Sequence, residues 1–482
     1  MHFSVIFRVL GILLMLFSMT LLPPIFVSLY YNDESLVAFL SAMGLIFATG
    51  CLLWLPSNKT RHDLRTRDGF LITVLFWAVL GIAGCLPFIF SDQPGLSFTD
   101  AMFESLSGLT TTGATVITGL DDLPKSILYY RQQLQWLGGI GIIVIAVAIL
   151  PMLGIGGMQL YRAETPGPVK DSKLTPRITE TAKALFLIYC TLTITCALSY
   201  WAAGMTLFDA IGHAFSTVAI GGFSTHDASM GYFDSPIILI VCMLFMILSG
   251  VNFALHFYTS RNRSISHYWH DPEFKFYISC LAIGIPITIA YLAHTDTYDL
   301  ETSAIHGSFE FISILTTTGF GTADFTIWPG FLPFFLFLFA FMGGCAGSTG
   351  GGMKVIRVLL ICKQGIREIK RLINPNAVIP IKLGQTSVSD RVVEAVWGFF
   401  AVFVISYMIM FILLMATGLD FLTSVSAVGA CISNLGPGMG DVALNYTDIN
   451  NPAKWILCFA MLLGRLEIFT LLVLFSPSFW RR

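Results

Sequence analysis

The stretch "LTTTGAT", residues 109–115, lies between two long apolar runs, and a related string, "LTTTGFGT", returns at residues 315–322. Three threonines ahead of a glycine are too polar for a lipid-facing helix and too β-branched for a flexible loop. Lipid cannot satisfy bare backbone, so non-helical chain at membrane depth must be buried in protein or line a water-filled cavity. How often this motif recurs, and in which topological slot, decides the fold.

Composition fixes the solvent. The 482 residues are 55% hydrophobic and 12% charged, with a mean hydropathy of +0.77. A soluble domain carries roughly 25% charged residues, so the chain belongs to the polytopic membrane class. The net charge of −2 says nothing by itself, and no nucleic-acid partner is expected. The ten cysteines all lie in or beside apolar segments, with no C-x-x-C or Cys/His metal spacing. They read as small buried apolar residues rather than as disulfides or ligands. The N-terminal apolar run is too long for a signal peptide and lacks a small-residue cleavage site. It is expected to be retained, with Pro23 and Pro24 bending its outer end.

A span needs about 20 apolar residues. Candidates are 4–30, 37–56, 69–91, 128–158, 180–204, 235–258, 274–294, 329–362, 392–418 and 453–475, about ten in all. Between them lie semi-apolar segments near 98–112, 207–221, 301–318 and 420–435, each too short to cross. Basic residues cluster at Lys59 to Arg67, Arg162 to Lys183, Arg261 to Lys275 and Lys354 to Arg391, and Arg481 and Arg482 close the chain. The positive-inside rule makes these cytoplasmic, together with both termini. The remaining loops are acidic, including Asp33, Asp92, Asp121, Asp296, Asp324 and Asp448. An acidic outer face raises the local cation concentration, or merely keeps the loops wet. The basic clusters recur after each pair of spans, so span, short segment and span form a repeating unit.

The short segments align on one glycine each: "AMFESLSGLTTTGAT" at Gly113, "AIGHAFSTVAIGGFS" at Gly222, "GSFEFISILTTTGFG" at Gly319 and "SVSAVGACISNLGPG" at Gly436. Six residues before the glycine stands Ser107, Ser216, Ser313 or Ala430, and four before it Leu109, Val218, Leu315 or Ile432. Repeats one and three also share Phe103 with Phe309 and Glu104 with Glu310, where repeat two has His213, expected to hydrogen-bond locally. Each segment reads as a short helix entering from outside, with Asp100 and Asp209 as N-caps, followed by a strand. The helix C-termini carry partial negative charge and favour a cation at the centre. The strands present carbonyls that replace an ion's hydration shell. Glycine stands where the backbone must take angles closed to other residues.

Four membrane–pore–membrane units with "TTTGAT", "AIGGFS", "TTTGFG" and "NLGPGM" resemble the TrkH subunits of the Trk/Ktr/HKT superfamily of K⁺ transporters over nearly the whole chain. The resemblance implies an all-α fold of four pseudo-symmetric repeats around a central ion pore, plus an N-terminal helix pair. Its expected divisions are 1–68 for the pair and 69–177, 178–271, 272–390 and 391–482 for the repeats. It implies a K⁺ filter at Thr111, Thr112 and Gly113; Ile220, Gly221 and Gly222; Thr317, Thr318 and Gly319; and Asn434, Leu435 and Gly436. Glycine at all four centres goes with preference for K⁺ and Rb⁺ over Na⁺. The fourth strand, with Asn434, Leu435 and Pro437, departs most from the pattern.

A second outlier is "GGCAGSTGGGMKVIR", residues 343–357, with six glycines by residue 352. Each costs about 1 kcal/mol in a helix, so the helix must break. A phosphate loop needs Gly directly before Lys, and Met353 stands there instead. Tight packing through small residues is one explanation. An unwound gating loop beneath the filter is the other, and the resemblance supports it. The gate would comprise Gly343, Gly344, Gly347, Ser348, Thr349, Gly350, Gly351 and Gly352. Arg465 and Glu467 fall mid-way in the last span, two apart and so not facing each other on a helix. Each needs a partner or water. A structural ion pair to another helix is one outcome, and the resemblance favours Arg465 reaching the permeation path near the glycine-rich loop.

The expected function is K⁺ uptake across a bacterial inner membrane by a channel-like path. The alternative is a Na⁺- or H⁺-coupled K⁺ symporter of the same superfamily. No enzyme is expected, because no polar catalytic cluster stands out. K⁺ is the only ligand expected. The resemblance implies a homodimer and a cytoplasmic nucleotide-binding regulatory subunit of the TrkA type. The basic stretch 354–391 would dock that subunit, or reflects positive-inside bias alone.

Overall fold

The computed structural model describes residues 3–57, 66–144 and 178–481. The basic residues Lys59 to Arg65, Arg162 to Arg177 and Arg482 lie outside the described residues. The described chain is helical throughout, apart from loops and one small antiparallel hairpin, Lys382–Leu383 with Thr386–Ser387. The fold is all-α and polytopic, as composition required.

The N-terminal pair comes first. Helices α1 (Phe3–Met19) and α2 (Leu22–Tyr31) make one span with a short break. The break falls at Thr20–Leu21, so Pro23 and Pro24 occupy the first turn of α2, where a missing N–H costs nothing. The return span α3 (Leu36–Ser57) crosses α1 closely through Gly11 and Gly50. A Cβ at Gly11 would sit 2.6 Å from the Gly50 carbonyl oxygen, and one at Gly50 2.8 Å from that of Gly11. Only glycine on both helices permits this approach.

Then follow α4 (Thr66–Phe90), α5 (Phe98–Leu109) and α6 (Lys125–Val144). Next come α7 (Ile178–Ala202), α8 (Leu207–Ala219), α9 (Pro236–Ser249), α10 (Phe253–Asn262) and α11 (Ser266–His270). The third set is α12 (Pro272–His294), α13 (Leu300–Thr316), α14 (Leu332–Ala340) and α15 (Val355–Ile373). The last comprises α16 (Asp390–Ala416), α17 (Phe421–Ile432) and α18 (Asn451–Arg465), with short turns to Trp480.

Among the described residues, six helices are long and apolar enough to cross a membrane, or eight if each of two bent pairs counts as one span. The sequence leads one to expect about ten, and the difference has local causes. The span at 128–158 begins as α6 and runs outside the described residues. The span at 329–362 is split into α14 and α15 by non-helical residues 341–354, the glycine-rich stretch. The spans at 235–258 and 453–475 bend by 94° and 109° at short breaks. The last break uses no glycine: Glu467 (φ 52°) and Ile468 (φ 60°) take left-handed angles.

The four short helices α5, α8, α13 and α17 are buried on every side toward their C-terminal ends. Two apolar clusters enclose them. One joins the N-terminal pair to residues of α4–α6 and α16–α18, and the other runs through α7–α14. What they surround is a polar column of threonines, serines and bare backbone.

Candidate ion-conduction site

The short helices start from capped ends. Ser97 and Thr206 cap α5 and α8, accepting from the Asp100 and Asp209 amides at 3.2 and 3.1 Å. Asp100 and Asp209 are therefore not the N-caps. They sit three residues in, and each carboxylate accepts the capping hydroxyl at 2.7 Å. Aspartate does cap the other two helices, Asp299 for α13 and Asp420 for α17.

The four C-terminal ends are built alike. The residue before each of the four aligned glycines donates its amide to a carbonyl five positions back: Thr112 to Ser107, Gly221 to Ser216, Thr318 to Ser313 and Leu435 to Ala430, each at 2.8 Å. The acceptors are the small residues that recur six positions before each glycine, and all four are fully buried. Left-handed angles then fall two residues before each glycine and on the glycine itself. The values are 55° and 82° at Thr111 and Gly113, 55° and 79° at Ile220 and Gly222, 64° and 80° at Thr317 and Gly319, and 52° and 96° at Asn434 and Gly436. A β-branched residue at positive φ is a strained exception, and here Thr111, Ile220 and Thr317 all adopt it. Alternating backbone handedness turns successive carbonyls toward one side.

The strands close into a ring. A Cβ on Gly113 would lie 2.1 Å from the Gly221 carbonyl oxygen, one on Gly222 2.1 Å from that of Thr318, and one on Gly319 2.0 Å from that of Leu435. A Cβ on Gly436 would lie 2.7 Å from the Thr112 oxygen, which returns to the first strand. The order one, two, three, four, one follows the chain. Glycine is required here by contact as well as by φ. Outside the ring lies a cavity of about 310 Å³ lined by all four strands, with Asp227, Glu310 and Asp324 on its wall.

The strands are buttressed from behind, each differently. Glu104 accepts from Val116 N at 2.9 Å and Thr115 Oγ1 at 3.0 Å. Glu310 accepts from Thr322 N at 2.7 Å and Ala323 N at 3.2 Å. His213 bonds the Asp209 carbonyl and Ser224 Oγ, both at 2.9 Å, which is the local role expected of it. A carbonyl only accepts, so Nδ1 carries the proton. In the fourth repeat Ser426 Oγ accepts from Met439 N at 2.8 Å. Arg131, 1% exposed, donates to Glu104 at 2.8 Å and to the Ser224 carbonyl at 3.0 Å, tying strand two to repeat one. Removing one partner of a buried pair strands the other charge. Glu104→Ala should therefore lower stability by about 3–5 kcal/mol, and Glu104→Ala with Arg131→Met by distinctly less, as read from thermal unfolding in detergent.

Beneath the ring lies the glycine-rich segment. Thr349 Oγ1 donates to the Val218 carbonyl at 2.8 Å, Gly351 N to Thr317 Oγ1 at 2.7 Å, and Gly352 N to the Ser433 carbonyl at 2.9 Å. The segment thus touches the ends of three short helices. Arg465 links it to the fourth, donating to Thr349 O and Thr111 Oγ1 at 3.2 Å each and to Gly138 O at 2.7 Å. The glycines answer to close approach: a Cβ at Gly343 would meet Gly351 O at 2.0 Å, and one at Gly351 would meet Ser433 O at 2.0 Å. Gly344 O accepts from Val355 N at 3.1 Å, Ser348 Oγ folds onto Cys345 O at 2.6 Å, Gly347 O accepts from Phe253 N at 3.0 Å, and Gly350 O accepts from Lys354 Nζ. Glu467 pairs with Arg357, not Arg465. Glu273 reaches both arms of the segment, accepting from Ala346 N at 2.7 Å and Ile356 N at 3.1 Å.

The four glycine turns expected from sequence therefore meet one another, and the glycine-rich segment bonds the ends of the helices that carry them. The sequence reading missed Arg131, Gln135, Glu273, Lys354 and Tyr446, whose hydroxyl donates to Gly436 O at 2.7 Å. For the first two a signal existed: "RQQLQ" at 131–135 is an expensive string inside an apolar run.

Short buried helices ending on one axis, with strands meeting in a carbonyl ring, define a polytopic membrane transport protein. The chain belongs to the TrkH family of cation transport proteins, whose model matches residues 35–482, and that family is not one of enzymes. It is 59% identical to the Trk system potassium uptake protein TrkH of Halomonas elongata and 55% identical to that of Escherichia coli, with 100% of each chain covered. The crystal structure of the potassium transporter TrkH from Vibrio parahaemolyticus matches with a TM-score of 0.91 at 52% identity, over 100% of both chains.

Proposed function

We propose that this chain takes up K⁺ across the bacterial inner membrane through a K⁺- and Rb⁺-selective, channel-like pore. The observation that carries the reading is the closed ring, in which each of four glycines faces a carbonyl oxygen of the next strand at 2.0–2.7 Å from its absent Cβ. Carbonyl rings replace a cation's hydration shell, and the relatives named above are potassium uptake proteins. The pore repeats are 69–177, 178–271, 272–390 and 391–482, with 1–68 as an accessory pair and both termini in the cytoplasm. The segment 343–352 is the gate, and it obstructs the path until it moves. Purified protein in liposomes should carry ⁸⁶Rb⁺ down its own gradient with no Na⁺ or H⁺ gradient imposed. Flux that appears only with one of those gradients would establish the coupled symporter instead.

A homodimer with a cytoplasmic nucleotide-binding subunit of the TrkA type fits the basic helix α15. Arg367 on that helix is buried and pairs with Asp390 at 2.7 Å, so it serves the fold. Lys363, Lys370 and Arg371 are the more accessible charges. Changing those three to Gln should weaken capture of the regulatory subunit about tenfold at low salt, since exposed pairs are each worth up to about 1 kcal/mol. Undiminished capture in 20 mM salt, where screening is weak, would leave the stretch a purely topological signal.

A further inference from the structure

Repeat two departs from repeats one and three at one filter position. Where they carry Thr112 and Thr318 directly before the glycine, it carries Gly221. In those repeats the threonine hydroxyl bonds the hydroxyl two residues earlier, Thr110 with Thr112 at 2.8 Å and Thr316 with Thr318 at 2.7 Å. Gly221 has nothing to offer, yet the space beside it is full. A Cβ on Gly221 would fall 2.4 Å from Cδ, 2.5 Å from Oε1 and 2.7 Å from Nε2 of Gln135.

Gln135 comes from α6, a helix of repeat one, and is fully buried. Both ends of its carboxamide bind the strand. Nε2 donates to the Gly221 carbonyl at 2.6 Å, and Oε1 accepts from Phe223 N at 3.0 Å. The two bonds straddle Gly222. The Gly221 oxygen is the ring oxygen that Gly113 faces. Among the described residues, the equivalent oxygens of Thr112, Thr318 and Leu435 accept no hydrogen bond. One quarter of the ring is therefore held by a side chain borrowed from the neighbouring repeat.

We propose that Gln135 is a positioning residue for ion discrimination: its carboxamide fills the space that a side chain on Gly221 would take and fixes the second ring oxygen. Selectivity depends on where the oxygens stand and how strongly they bind. An N–H on one of them governs both. The inference rests on the ring being the ion filter, and the test separates the two ideas.

The test measures the ⁸⁶Rb⁺/²²Na⁺ flux ratio in proteoliposomes, alongside total Rb⁺ flux. Gln135→Ala should lower the ratio about tenfold, the worth of one well-made hydrogen bond, while Rb⁺ still passes. Gln135→Met has a similar length but no N–H to give to Gly221, and should lower the ratio as well. If Gln135→Ala and Gln135→Met keep the parent ratio while Gly113→Ser loses it, Gln135 is packing and the proposal fails. If Gly113→Ser also keeps it, the filter reading itself fails.

Discussion

Gly113→Ser is expected to admit Na⁺. The backbone there has φ 82°, which an L side chain adopts at a cost of roughly 1–2 kcal/mol. The new Cβ would also stand 2.1 Å from the Gly221 oxygen, far inside van der Waals contact. Either the strand rotates or the neighbouring carbonyl leaves the ring, and both outcomes spoil the carbonyl ring proposed to select K⁺. A loss of about 1.4–3 kcal/mol in differential coordination would lower the Rb⁺/Na⁺ flux ratio about 10- to 100-fold. Gly319→Ser should match it, with φ 80° and a carbonyl at 2.0 Å. Gly436→Ser should do less, since its facing oxygen lies 2.7 Å away. Equal ratios for the parent and the first two variants in liposome flux would remove these glycines from the filter.

Shortening the segment proposed as the gate should have the second large effect. The neck of the glycine-rich segment is closed by Met353 N on Phe341 O at 2.9 Å and by Gly343 against Gly351. Deleting Gly347 to Gly350 leaves that neck standing and removes Thr349, which binds both Val218 and Arg465. Rb⁺ flux should rise about tenfold or more. Arg465→Ala should raise it too. A positive charge about 5 Å from a cation, at an effective dielectric near 20, opposes it by roughly 3 kcal/mol. If both variants fold and conduct no faster than the parent, the segment is packing. If only Arg465→Ala conducts faster, the barrier is electrostatic and the segment incidental.

The parts of this fold that were legible in sequence are those fixed within one repeat. The small residue six positions before each glycine could be read because the turn closes through its own carbonyl, at the same offset four times. The glycine run at 343–352 announced a break because glycine is costly in any helix. What could not be read lies between repeats. The closing contacts of the ring join residues roughly a hundred or more positions apart, and no periodicity reports them. The N-caps were misassigned in α5 and α8 because a capping hydroxyl and its aspartate both favour that end, three residues apart. The bend after Arg465 was invisible because Glu467 and Ile468, not glycines, carry the left-handed angles. Gln135 was within reach, since a glutamine in an apolar helix asks for a partner, but the partner lay 86 residues away.

Four quarter-turns written in one reading frame have a genetic consequence. In an assembly of identical subunits, any codon change strikes every quadrant at once, and most such changes are lost. Here one strand could exchange threonine for glycine while a glutamine arose elsewhere, with three walls left untouched. Another could acquire Asn434, whose amide bonds Thr112 at 2.9 Å and so joins the last quadrant to the first. Because the four quadrants share one chain, each wall can be changed without altering the other three.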